Sequence, residues 1–124
     1  MNLQESGEMY LETILVLEKQ NKTVHAIDIS RYMGFSKASV SRAVNKLRMD
    51  KYIDINDSLE ISLTNSGKEI ANRIYERHQI LTRLLEEMGV SSDTAAEDAC
   101  RIEHVISTES FEAIKNHLRE LTRE

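Results

Sequence analysis

The chain has no proline and no tryptophan, a single cysteine, four glycines, and aromatic residues at only 5% of its 124 positions. Each scarcity excludes something. With one thiol, Cys100, no intrachain disulfide can form, and a lone cysteine fits the reducing cytoplasm better than a secreted scaffold. Without proline, no boundary is marked by that residue, so element ends must be read from glycines and capping side chains. No apolar run approaches the ~18 residues of a membrane span, and the opening MNLQESGEMY lacks the basic-then-apolar order of a signal peptide. There is no glycine-rich phosphate loop and no nucleophile–base pair, so nothing points to an enzyme or to a small-molecule substrate.

What is present has the balance of a globular protein, with 40% hydrophobic and 30% charged residues. The length suits one domain, or a small module with a helical extension. The net charge of −5 argues at first against nucleic acid, yet its distribution argues the other way. Residues 22 to 51 carry seven basic side chains (Lys22, Arg31, Lys37, Arg42, Lys46, Arg48, Lys51) against Asp28 and Asp50, a local +5 that leaves −10 for the rest. A basic segment on an acidic body is the electrostatic footprint of a phosphate-backbone partner. Because a charge cluster alone is usually a solvated helix face, organisation has to decide.

Residues 5 to 20 read as a buried helix, apolar at Met9, Leu11, Ile14, Leu15, Val16 and Leu17. A short helix over about 25 to 33 stops at Gly34, and Ser36 is placed to cap a third helix through about Asp50, with Val40, Val44 and Leu47 on its inner face. Two alternating runs within Tyr52–Leu63 flank the polar turn Asn56-Asp57-Ser58 and read as a β-hairpin. Helix, helix-turn-helix, then hairpin is the order of a winged helix. A long helix follows to about Met88, with its stripe at Ile70, Ile74, His78, Leu81, Leu85 and Met88. Ser91 or Ser92 then caps a helix through about Ile106, and a last helix spans about Ser110 to Leu121, striped by Phe111, Ile114, Leu118 and Leu121. The expected fold is therefore mostly α. Residues 1–63 form a winged helix-turn-helix DNA-binding domain, and 64–124 a helical dimerisation and metal-binding domain. The apolar faces after residue 64 need a partner surface, which a homodimer supplies.

In a helix that enters the major groove, the N-terminal half carries the side chains that reach DNA. Here that half holds Ser36, Lys37, Ser39, Ser41 and Arg42, with Lys46 one turn further on. Arg42 is the candidate for a bidentate contact to guanine, while Lys37, Lys46 and the hydroxyls suit phosphates. A second constellation has metal chemistry. His78 lies on an apolar stripe, where a lone histidine is usually a hydrogen-bonded core residue. Cys100, Glu103 and His104, at i, i+3 and i+4, read as thiolate, carboxylate and imidazole on one helical face. Met9 and Glu12 repeat the i, i+3 spacing on the first helix.

Taken together, these residues resemble the diphtheria toxin repressor and manganese transport regulator family from about Glu8 to Leu121. The resemblance rests on Glu8-Met-Tyr-Leu-Glu12, the Ser36-to-Leu47 helix, Leu63-Thr64-x-x-Gly67, Arg77-His78, and above all Asp98-Ala-Cys-Arg-Ile-Glu-His-Val-Ile-Ser107. It implies a homodimer that binds a palindromic operator in double-stranded DNA when loaded with a divalent metal, and represses metal-uptake genes. The metal positions it implies are Met9, Glu12, His78, Cys100, Glu103 and His104. Thioether and thiolate at Met9 and Cys100 are soft donors, as in the iron-responsive branch, and favour Fe(II), with Co(II), Ni(II) or Zn(II) as other candidates. Glu12 and the absence of further sequence after the last helix resemble the Mn(II)-responsive branch, which is the alternative. Thr82 and Ala96 stand where the iron branch places second-site ligands, so such a site would draw on Glu12, His78 and Glu103, with Glu97 as a further candidate. A metal-independent winged-helix regulator is the remaining reading.

Overall fold

The computed structural model describes residues 5–20 and 23–122; Lys22 of the basic segment lies outside them. Among the described residues the order is α1 (Glu5–Gln20), α2 (Ala26–Met33), α3 (Lys37–Met49), β1 (Ile53–Ile55), β2 (Ile61–Leu63), α4 (Asn65–Glu87), α5 (Ser92–Ile102) and α6 (Thr108–Thr122). The mostly α class is as the sequence predicts, and no described helix is long and apolar enough to cross a membrane. Contacts divide the chain into two units, Met1–Asn72 and Arg73–Glu124, with α4 running through the division.

In the first unit, α1 buries Tyr10, Leu11, Thr13, Ile14, Leu15 and Leu17. The Asp28 carboxylate accepts from the His25 N–H at 2.9 Å and steadies the start of α2. The helix ends at Gly34, whose φ of 72° is left-handed and whose N–H donates to the Ser30 carbonyl. Such a turn favours glycine because any Cβ is strained there. Ser36 then caps α3, its hydroxyl oxygen accepting from the Ser39 N–H at 3.1 Å. Val40, Val44 and Leu47 hold the inner face of α3 in the core, completing a helix-turn-helix.

The hairpin pairs Ile53 with Leu63, Asp54 with Ser62 and Ile55 with Ile61. Ile53, Ile61 and Leu63 are buried while Asp54 and Ser62 are exposed, the alternation of a half-buried sheet. The turn is longer than the expected Asn56-Asp57-Ser58. The Asn56 side-chain oxygen accepts from the N–H groups of Ser58 and Glu60, and Leu59 adopts a left-handed φ of 62°. Leu59 and Glu60 therefore belong to the loop, and Leu59 is exposed. The wing is anchored from behind by the Ile61 N–H, which donates to the Val24 carbonyl at 2.7 Å. The Thr64 hydroxyl donates to the Lys51 carbonyl and accepts from the Gly67 N–H, tying the start of α4 to the end of α3.

In the second unit, α4 buries Ile74, Arg77 and Leu81, α5 buries Ala95 and Ala99, and α6 buries Phe111 and Leu118. Ser91 is the cap of α5, accepting from the Thr94 N–H. Two expectations need correction. The helix carrying Cys100 stops at Ile102 rather than Ile106, and the next begins at Thr108 rather than Ser110. Ser107 accounts for the restart: its hydroxyl accepts from the Ser110 N–H at 3.0 Å, so it acts as a cap and the chain must turn before it. Met88 and Leu121, read as stripe residues, are exposed at 72% and 49%; Met88 falls just past the end of α4 and Leu121 in the last turn of α6.

Candidate metal centre and nucleic-acid interface

Burying Val40, Val44 and Leu47 leaves the opposite face of α3 to solvent. Lys37, Ser41, Arg42 and Lys46 are all exposed there, and so are Ala38 and Asn45. Ser36 and Ser39 are placed differently. The Ser36 hydroxyl is occupied as the cap and lies 3.0 Å from the Ser39 hydroxyl, which in turn accepts from Arg42 at 3.4 Å. Arg31, Arg48 and Lys51 add exposed cations to the unit. Beneath the turn, the Tyr10 ring sits 6.2 Å from that of Phe35. Burial pushes the Tyr10 hydroxyl above its usual 10, and the Arg42 guanidinium only partly opposes this. Tyr10 is thus a neutral support beneath the turn between α2 and α3. Asn45 was not singled out in the sequence reading, although its place one turn beyond Ser41 and Arg42 puts it on the same face.

The metal candidates divide between the units. Met9 and Glu12 are half-buried, one turn apart on α1 in the first. In the second, Glu103 is completely buried, and its two carboxylate oxygens face different imidazoles. Oε2 lies 3.1 Å from His78 Nδ1, and Oε1 lies 3.3 Å from His104 Nε2. The His104 side chain is 2% exposed and that of His78 is 28% exposed. His78 comes from α4, whereas Glu103 and His104 sit in the turn after α5, not on a continuing helical face as expected. Glu103 still donates its N–H to the Ala99 carbonyl, which keeps it one turn beyond Cys100. Cys100 carries a free thiol and is half-buried. The Thr82 hydroxyl is committed to the His78 carbonyl at 2.7 Å, and Glu97 is exposed.

These donors fit a divalent cation. Ligands bonded at about 2.0–2.2 Å are separated by roughly 3.0 Å along an octahedral edge and 3.4 Å along a tetrahedral one. The observed 3.1 and 3.3 Å spacings fall in that range, each on a different carboxylate oxygen, and the first is equally a hydrogen bond between His78 and Glu103. A carboxylate with no exposed surface also requires compensating charge or hydrogen bonds, and its neighbours here are themselves metal-binding groups.

In the sequence Arg77 stands only as part of the Arg77-His78 motif, with no role of its own. It is buried, and donates to the carbonyls of Glu103 and Ile106. The stripe contained the signal: Arg77 lies three residues after Ile74 and four before Leu81, on the buried side of α4.

Comparison with known proteins adds an independent finding. Residues 2–59 match the family model described as the iron dependent repressor N-terminal DNA-binding domain, and residues 64–124 match the iron dependent repressor metal binding and dimerisation domain. The chain is 31% identical to the MntR transcriptional regulator of Bacillus subtilis over 88% of its own length and 77% of that protein's. It is 28% identical to the diphtheria toxin repressor of Corynebacterium diphtheriae over 98% of its length, covering 54% of that protein. The solved structure of IdeR from T. acidophilum superposes with a TM-score of 0.81 at 26% identity, covering 95% of this chain and 55% of that one. The chain thus spans little more than half the length of the latter two.

Proposed function

The chain belongs to the diphtheria toxin repressor and manganese transport regulator family, and from that premise we propose that it is an Fe(II)-activated repressor that binds a palindromic operator as a homodimer in the cytoplasm. The observation that carries the metal part is the buried Glu103 carboxylate between the His78 and His104 imidazoles, within the segment that matches the metal binding and dimerisation domain. The residues that would hold the ion are His78, Cys100, Glu103 and His104, with Met9 and Glu12 as the remaining candidate ligands. The bound cation supplies positive charge that lets carboxylate, thiolate, thioether and imidazole donors share one centre. Occupation of that centre would make DNA binding conditional on the ion. The two α3 helices would then lie about one DNA turn apart, roughly 34–36 Å. Arg42 reads a base edge in this scheme, while Lys37, Lys46 and the exposed Ser41 hydroxyl position the backbone. The preference for iron rests on Met9 and Cys100, whose sulfur donors disfavour the oxygen-seeking Mn(II).

The test is operator binding measured in parallel with Fe(II), Co(II), Zn(II) and Mn(II) at buffered free concentrations. Fe(II) and Co(II) should activate at lower free concentration than Mn(II). In Cys100→Ala that order should weaken, with a loss of Fe(II) affinity exceeding the ~10–100-fold typical of an outer-shell partner. Activation by Mn(II) alone overturns the iron preference. Equal operator affinity with metal and with chelator overturns metal control, leaving a metal-independent winged-helix regulator.

A further inference from the structure

The donor turn has backbone hydrogen bonds of its own, from the Glu103 N–H to the Ala99 carbonyl and from the Val105 and Ile106 N–H groups to the Ile102 carbonyl, and a side chain from another helix is added to them. Glu103 and His104 follow the last residue of α5, where a helix leaves carbonyls without intrahelical partners. Arg77 binds two carbonyls just beyond that helix, those of the cap residue Glu103 and of Ile106. Its Nη1 donates to the Glu103 carbonyl at 3.2 Å and to the Ile106 carbonyl at 2.9 Å, and its Nη2 donates to the Thr108 hydroxyl at 3.4 Å. Its guanidinium carbon also lies 5.4 Å from the centre of the Phe111 ring on α6. One side chain therefore spans the end of α5, the connecting turn and the start of α6. It also neighbours His78 on α4, so one helical turn contributes both a metal candidate and the clamp on two others.

We infer that Arg77 is a positioning residue for the metal centre, fixing the Glu103–His104 turn through the Glu103 and Ile106 carbonyls so that their donors face His78. The inference rests on the metal reading of that cluster. Two features favour positioning over a bland core role. A permanent cation beside a cation site is electrostatically unfavourable for metal binding, since like charges repel through a low-dielectric interior. Its placement therefore needs a compensating service, and the backbone of a candidate ligand is what it holds. The geometry also suits arginine specifically. A planar fork can bond two carbonyls and a hydroxyl while lying on a ring, whereas the point charge of lysine cannot reproduce that arrangement.

Charge makes the test a matter of sign. On electrostatics alone, Arg77→Met removes repulsion and should tighten binding of a divalent ion. On positioning, it should loosen binding. Co(II) titration of the full chain, followed by visible absorption of the bound ion, reads affinity and coordination geometry together. The expected result is a ~10–100-fold weaker Co(II) affinity and an altered spectrum for both Arg77→Met and Arg77→Lys. Amide hydrogen exchange of the metal-free protein should show faster exchange at residues 103–108 in both variants. Unchanged or tighter Co(II) binding by Arg77→Met, with an unchanged spectrum, overturns the inference. If Arg77→Met fails to fold, Thr108→Val removes one clamp bond and keeps the charge; it should give a smaller loss in the same direction, and no loss overturns the inference. If the wild-type chain itself binds no Co(II), the metal reading fails. Exchange in the variants then shows separately whether Arg77 pins the turn.

Discussion

Gly67 lies so close to the Tyr52 carbonyl oxygen that a Cβ built on it would overlap that atom. The same carbonyl accepts from the Thr64 N–H at 3.0 Å, so the turn between the wing and α4 closes on a point where only hydrogen fits. Gly67→Ala should destabilise the protein by about 1–3 kcal/mol, as overpacking does, seen as a lowered midpoint in thermal or urea unfolding. An unchanged midpoint would show that the Tyr52 segment yields freely. Tyr10 makes a second prediction at this scale. Its hydroxyl is raised by burial, so above the unfolded value of 10 the native state retains a proton that the unfolded chain has lost. Stability from this group is therefore complete at neutral pH and declines as pH climbs past 10. Tyr10→Phe should flatten that alkaline decline, and unfolding curves compared at pH 9 and pH 11 check it. Sequence reading found Gly67 as part of a motif but gave no reason for it, because the obstructing atom is a backbone oxygen fifteen residues away.

At the scale of elements, α3 divides into a buried stripe and a basic, hydroxyl-rich face, and this division was legible except for Asn45 on the exposed face. Helical period needs only neighbouring residues. Arg42→Ala should cost about 1–3 kcal/mol of discrimination between operator variants and relax preference at one base position. Lys46→Ala should instead weaken binding to all sequences alike, and lower the salt slope by about one. Parallel binding curves over a salt series separate the two; if both variants lose affinity evenly across operators, Arg42 is not a base reader. The wing was legible as a hairpin, though not its loop, because the Asn56 side chain that shapes it bonds backbone beyond the expected turn. The end of α5 was misplaced by four residues: Ile106 continues the apolar pattern, but the chain has already turned at Glu103.

At the scale of the whole molecule, metal and DNA are expected to be coupled. If metal raises operator affinity, operator must raise metal affinity by the same factor, commonly about 5–150-fold. Metal titrations with and without operator DNA check that equality, and unequal factors would mean that a further species takes part. Charge gives a simpler expectation: the −10 carried outside residues 22–51 should confine DNA to the basic segment, making affinity strongly dependent on salt. The sequence by itself determined the order of elements, the exposed face of α3 and the metal-competent residue types. Helical period, caps and turn residues act between close neighbours, and the donors are identified by their chemistry. Only the tertiary structure decided that Glu103 and His104 leave the helix, that His78 meets them, and that Arg77 holds their turn. Those contacts join residues 25 to 29 positions apart, brought together by the packing of α4 against the chain's later segments rather than by any local pattern.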